Sequence, residues 1–178
     1  MRRTEVAVWT PEWAAKYAEA KEIMVGIFGR ELIRIHHIGS TSVPCIGYAK
    51  PIIDILIEVR DIESVLSFNE AMQQEGFIPK GENGIVGRRY FTKGGDERTH
   101  HVHIFEAGHP SAATHLDFKA YMMEHPQDAA AYGQLKLRLA KQFPESVLQY
   151  QEGKQSMLES LVQKAAIWGA EQRQSGNI

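Results

Sequence analysis

Cysteine is almost missing: Cys45 stands alone in 178 residues, so no internal disulfide can form and the chain fits a reducing compartment. Long apolar runs are missing too. No stretch approaches the roughly 18 residues of a membrane-crossing helix, and no span is expected. Between Met1 and Thr10 there are two arginines but no apolar core, so no signal peptide is expected and the reading is cytoplasmic. Nor is there an excess of charge of one sign. With 20 basic and 22 acidic residues the formal net charge is −2, which argues against holding nucleic acid by bulk attraction to phosphates. There is no repeat and no low-complexity linker. What remains is ordinary globular chemistry, 43% hydrophobic and 24% charged, in a length that suits one domain, residues 1–178, with a real core.

The periodicities alternate between helix and strand. Thr10-Pro11-Glu12 is a helix start, with Thr10 as N-cap and Pro11 in the first turn; Trp13, Tyr17, Met24, Ile27 and Phe28 recur at helical spacing and Gly29 is the stop. Leu32 to Ile38 alternates as a strand. Ile52 to Val59 is nearly continuously apolar, as a central strand buried on both faces would be. Asp61 is placed to cap a second helix with Ile62, Val65, Leu66 and Met72 inward and Gly76 ending it. Arg88–Lys93 and Arg98–Phe105 flank Gly94-Gly95-Asp96-Glu97 and read as a hairpin. From about residue 111 to 170 the pattern is helical, in three stretches, with Pro126 in the first turn of the second and a frayed tail from Gln172. This order gives an α/β (α+β) class: a mixed sheet with helices on one face and a helical C-terminal third.

One stretch asks for a chemical explanation. His36-His37-Ile38-Gly39-Ser40-Thr41-Ser42-Val43-Pro44 runs from a strand into a Gly-Ser turn, and Lys50-Pro51-Ile52-Ile53-Asp54-Ile55 follows. An ionised carboxylate among isoleucines is costly unless it is paired or metal-bound. Alternation puts Ile53, Ile55, Ile57 and Val59 on the core face and Asp54 on the other, looking toward a cleft. Glu58 has the same parity but lies about 13 Å along the strand and reads as a strand-end surface charge. Gly39, Ser40, Thr41 and Ser42 can hold phosphate oxygens through turn N–H groups and hydroxyls, or merely cap the next segment. Lys50 either faces phosphate or marks a strand entry. His101 and His103 share one strand face opposite Val102 and Ile104, a pair suited to a metal, a phosphate or proton transfer. If Lys93 sits opposite Arg98, then Tyr90 faces His101 and Arg88 faces His103, a wall for an anionic ligand or an ordinary solvated hairpin. His100 has the wrong parity and reads as structural or exposed. His109, His115 and His125 read as solvated imidazoles near helix ends.

Together, His37–Pro44, Ala49–Ile55, Gly87–Lys93, His101-Val102-His103 and the segment around Phe118, Tyr121, His125 and Pro126 resemble the signature of the GrpB family over roughly residues 5–170. The resemblance implies the nucleotidyltransferase-like superfamily fold. The family also occurs fused to dephospho-CoA kinase, which implies a protein partner in coenzyme A metabolism. Two positions depart from the pattern. Cys45 stands where the family has glycine, and Leu56 stands where active nucleotidyltransferases carry a second acid. With Asp54, His101 and His103 as the metal and catalytic residues, the ion expected is Mg, or more suitably Mn or Zn if a histidine replaces an acid.

Three functions follow. The first is a nucleotidyltransferase-fold protein that binds a nucleotide or small phosphorylated ligand, with metal-dependent transfer from a degenerate site. There Gly39, Ser40, Thr41, Ser42, Lys50, Arg88 and Tyr90 hold the ligand. The second is a non-catalytic GrpB-type module that supports a partner enzyme such as dephospho-CoA kinase. The third, a histidine-based hydrolase, is weakened because Phe105 takes the place of a third histidine in His101-Val102-His103-Ile104-Phe105.

Overall fold

A computed structural model describes residues 4–176. In chain order its elements are β1 (Ala7–Val8), α1 (Glu12–Phe28), β2 (Leu32–Ile38), β3 (Tyr48–Ala49), β4 (Ile53–Val59), α2 (Asn69–Gln74), β5 (Ile78–Pro79), β6 (Arg88–Lys93), β7 (His100–Glu106), α3 (Pro110–Glu124), α4 (Pro126–Gln142) and α5 (Val147–Gln174). Short 3-10 turns lie at Gly29–Glu31, Ser40–Ser42, Pro44–Ile46 and Glu63–Phe68. Contacts define two compact units within the expected domain. One comprises Pro11–Gly39 and Ile52–Ala113; the other comprises the chain up to Thr10, Ser40–Pro51 and everything from Thr114.

The first unit is built on a five-stranded sheet in the order β2-β4-β7-β6-β5. β4 and β7 run parallel and the other pairs antiparallel, so the sheet is mixed. β4 has a neighbour on both sides, which satisfies its backbone groups and lets its aliphatic face, Ile53, Ile55, Ile57 and Val59, leave water almost completely. The same face of β2 meets α1: the Tyr17 ring stacks on His37 at 4.8 Å and its hydroxyl donates to the Ile35 carbonyl. Trp13, Ala20, Met24 and Phe28 of α1 are buried.

Several expectations shift in detail. α1 is regular from Glu12, with Pro11 in the preceding position, and Gly29 ends it at φ +50. Asp61 Oδ1 accepts from the Glu63 N–H as a cap should, but the chain first makes a 3-10 stretch and only then the short α2. A 3-10 stretch rotates side chains differently from an α-helix, so Val65 and Met72 point inward while Leu66 is exposed. The hairpin pairs Lys93 with His100, not Arg98, and its connection lengthens to Gly94–Thr99. The Thr99 N–H donates to the Lys93 carbonyl and closes the loop. A two-residue change leaves the parity intact, so Arg88, Tyr90, His101 and His103 still share a face.

The second unit holds a two-stranded ribbon, β1 with β3, the greater part of α3, and α4 and α5. Its main core joins Val43 and Ile46 to Tyr121, Met122, Ala129, Tyr132, Leu161 and Ala165. Gly133 in α4 is required by a close approach: a Cβ there would overlap the Ile46 carbonyl oxygen. Asp117 of α3 accepts two hydrogen bonds from Arg173 of α5, at 2.7 and 3.1 Å. That pair helps keep α5 regular to Gln174, beyond the expected start of fraying; Asn177 and Ile178 lie outside the described residues. No described helix is long and apolar enough to cross a membrane.

Candidate functional site

The non-aliphatic face of β4 carries Asp54, Leu56 and Glu58. Parallel pairing with β7 sets Asp54 beside His101 and Leu56 beside His103, and β6 sets Tyr90 opposite His103. The side chains follow the register. Asp54 Oδ1 lies 3.0 Å from His101 Nδ1 and 3.7 Å from His103 Nε2. The Tyr90 ring tilts over both imidazoles, with centroids 5.7 and 5.1 Å away. Burial pushes the Asp54 carboxyl up, but hydrogen bonds from His101 and His103, with their charge, outweigh it and hold the group well below the usual carboxylate range. The three residues singled out as catalytic therefore meet, in one unit, as a hydrogen-bonded cluster.

Gly39 belongs to this cluster in an unexpected way. It is at φ +70, and a Cβ on it would lie 2.5 Å from Asp54 Oδ2. The room that the missing side chain leaves is taken by Asp54, and was expected to serve a phosphate. Arg88 differs as well. It is buried, and its guanidinium donates from Nε to the Glu82 carbonyl at 3.0 Å and from Nη2 to the Asn83 carbonyl at 2.6 Å. Its Nη1 lies 3.4 Å from His103 Nδ1 and its charge sits over the Tyr90 ring at 4.7 Å. Those partners take three of the five N–H donors of a side chain expected to wall an anionic ligand. Ser40, Thr41, Ser42 and Lys50 lie in the other unit. There Thr41 is buried and its carbonyl accepts from the Trp9 indole N–H at 3.0 Å, the Val43 N–H donates to the Ser40 carbonyl, and the Lys50 ammonium lies 4.3 Å from the centre of the Tyr150 ring. Cys45 is exposed, so its turn has room for a side chain.

Sequence reasoning misplaced Glu58. It is 4% exposed and accepts from Arg34 Nε at 2.8 Å and Nη2 at 3.4 Å, with His36 Nε2 3.6 Å away. The signal was available in the alternation of β2, which puts Arg34 and His36 on one face, but their partner strand was not. His100, on the opposite face from His101, packs edge-on to Phe77. Burial, then Lys93 and Lys16, push its imidazole down to about 4. His109 and His125 are not merely solvated: His109 stacks on Phe105 with Nε2 at the Val86 carbonyl, and His125 stacks on Tyr121. Lys136 also escaped notice; it is buried with its ammonium 4.9 Å from the Tyr132 ring centre.

Among the described residues no three His, Cys, Asp or Glu side chains are grouped as ligands of one ion. The nitrogen that His101 turns to Asp54 is at hydrogen-bond distance from it, and Leu56 is fully buried where a second acid would stand. The donor set does not fit a two-ion transfer site, in line with the degenerate site read from Leu56.

The GrpB protein family model matches residues 3–164. The chain is 50% identical over 167 residues to the UPF0157 protein YqkA of Bacillus subtilis, covering 94% of this chain and 48% of that one, so it spans about half the length of that relative. A UPF0157 protein of Pseudomonas aeruginosa, PA4798, is 31% identical over 92% of this chain and 68% of its own. The crystal structure of conserved protein GrpB from Enterococcus faecalis superposes with a TM-score of 0.86 at 36% identity, over 90% of this chain and 96% of that one. A cytoplasmic RNA terminal U-transferase superposes with a TM-score of 0.53 at 14% identity, over 76% of this chain and 41% of that one, a likeness of fold alone.

Proposed function

The chain belongs to the GrpB family, and we propose that it binds a nucleotide or a small phosphorylated ligand in the cytoplasm, with Asp54, His101 and His103 as the chemical centre. The observation that carries this reading is the cluster itself. Three ionisable side chains meet on the sheet face away from the aliphatic core, each with part of its side chain open to solvent. A purely structural carboxylate needs no titratable partners, and such groups concentrate where chemistry is done. The nucleotidyltransferase-like fold supports a nucleotide or a related phosphorylated compound as the ligand. Tyr90 offers that ligand an aromatic face beside the two imidazoles.

Nucleotidyl transfer in the two-ion manner is not part of this proposal, because Leu56 supplies no ligand. That same residue favours a second reading, a module that supports a partner enzyme of coenzyme A metabolism such as dephospho-CoA kinase without catalysis of its own. A thermal-shift panel of nucleotides and coenzyme A precursors, each with and without Mg, Mn and Zn, separates the two. A specific ligand at 100 times its Kd stabilises the fold by about 2.7 kcal/mol. We expect such a shift for at least one member, lost in His101→Ala. No shift with any member, together with stoichiometric binding to dephospho-CoA kinase, selects the second reading.

A further inference from the structure

We infer that Asp54 works through hydrogen bonds and not as an ion ligand: it fixes His101 with its proton on Nδ1, leaving Nε2 as the proton acceptor for a hydroxyl of the bound molecule, and Arg88 is the positioning residue that fixes His103 in the opposite sense. This rests on the reading of the Asp54 cluster as the binding site. It goes further by naming the atom that meets the ligand and the group that meets it.

The hydrogen-bond directions dictate the result. An ionised carboxylate only accepts, so the His101 Nδ1 that faces it at 3.0 Å donates. A neutral imidazole has one N–H, and Nε2 of His101 then carries the lone pair. That nitrogen makes no hydrogen bond with any described residue. Arg88 only donates, so His103 Nδ1, 3.4 Å from its Nη1, accepts. The single proton of a neutral His103 is therefore on Nε2, the nitrogen turned toward Asp54 Oδ1 at 3.7 Å. One carboxylate oxygen thus accepts from His101 at 3.0 Å and faces the N–H of His103 at 3.7 Å, from rings held in opposite tautomers. The lone pair of His103 is engaged by Arg88; that of His101 is left over. An ion sharing Oδ1 with these rings would have to displace the protons on the two facing nitrogens.

A carboxylate that orients an imidazole and stabilises its protonated form is an established acid–base device. A ligand hydroxyl that meets His101 Nε2 donates a hydrogen bond to its lone pair, and the ionised Asp54 carboxylate on the other side of the ring stabilises the imidazole in that accepting tautomer. A phosphorylated molecule with a free hydroxyl, the feature shared by nucleotides and many sugar phosphates, satisfies the site; its phosphate need not touch Asp54.

Nitrogen-15 spectra of the imidazoles in the full chain, at about pH 8 and above the ordinary histidine range, test this directly. We expect His101 with its proton on Nδ1 in about tenfold excess or more, as a charge-assisted hydrogen bond supports, and His103 with its proton on Nε2. Arg88→Met should randomise His103 while leaving His101 unchanged, and Asp54→Asn should randomise or invert His101. Because Arg88 also ties the loop of Glu82 and Asn83, His101 serves as the internal control for folding in that variant. Diethyl pyrocarbonate, which acylates an unprotonated ring nitrogen, should modify His101 before His103. His101 with its proton on Nε2, His103 modified first, or selective broadening of both rings by equimolar Mn(II) would overturn the inference. A failed nucleotide panel with the expected tautomers defeats only the ligand reading. A successful panel with reversed tautomers defeats only this one.

Discussion

Asp54 and Glu58 stand on one face of one strand, and the fold handles them in opposite ways. Glu58 is nearly sealed from water and is met by Arg34, a cation at every accessible pH, whose two N–H donors satisfy it. Asp54 keeps 26% of its side chain open and is met by two imidazoles. Leu56 stands between them and excludes water. The first carboxylate is a closed account of charge and hydrogen bonds. The second is linked to rings that can gain or lose a proton and that leave one nitrogen unused. What separates a structural acid from a chemical one here is the neighbouring strand: β2 brings an arginine to one end of β4, and β7 brings histidines to the other.

Removing the separator should have the largest effect. Leu56→Asp places a third carboxylate in a fully buried position whose register neighbours are the imidazoles of His36 and His103 and no permanent cation, and should cost about 3–5 kcal/mol in urea unfolding. A variant of wild-type stability with a new Mg-dependent release of pyrophosphate would mean that the position is poised for an ion after all. Arg34→Met leaves Glu58 with His36 as its neighbour; since the Arg34 side chain is 59% exposed, water and salt replace much of the pair, and a loss of about 1–2 kcal/mol is expected.

The two faces of β7 sharpen the contrast further. With its pKa pushed down to about 4 by burial, Lys93 and Lys16, His100 is neutral in the fold where the unfolded chain already takes up a proton. The stability it supports is complete above about pH 6.5, falls as the pH drops toward 4, and is constant below. Melting curves of His100→Gln should lose about 1–2 kcal/mol of that dependence after allowance for partial exposure; an unchanged slope would assign it to another group.

Asp54→Asn should be the most damaging for ligand. Its carboxyl is held below the ordinary range, so its contribution is full above about pH 4 and is lost only as the pH falls further. At neutral pH, where that contribution is full, we expect a loss of up to about 2 kcal/mol, with the thermal shift by ligand abolished. Binding that survives while stability collapses would reverse the roles of the two acids. Glu58→Gln, by contrast, should leave any ligand-induced shift intact.

Much of this was legible in the residues. The isoleucine-rich run from Ile53 to Val59 announced a central strand, because apolar residues at both parities suit a strand covered on both faces. The parity of Asp54, His101 and His103 put them on one side of their strands, and a two-residue error in hairpin register could not change that. The motif around Gly39 and Asp54, with the later histidines, marked the family.

Tertiary structure alone decided which of these groups touch. Parallel pairing of β4 with β7 joins residues 47 positions apart, and no local propensity specifies it. Glu58 looked like a surface charge until β2 supplied Arg34. Arg88 read as an exposed wall or a solvated hairpin residue, and the loop before it turns the Glu82 and Asn83 carbonyls onto its guanidinium. Gly39 was read as a turn residue for phosphate, and the missing side chain proves also to make room for Asp54. Alternation along a strand is a property of the local backbone and is written in the sequence; the partner that satisfies a charge is chosen by strand order and loop path, which the whole chain sets at once.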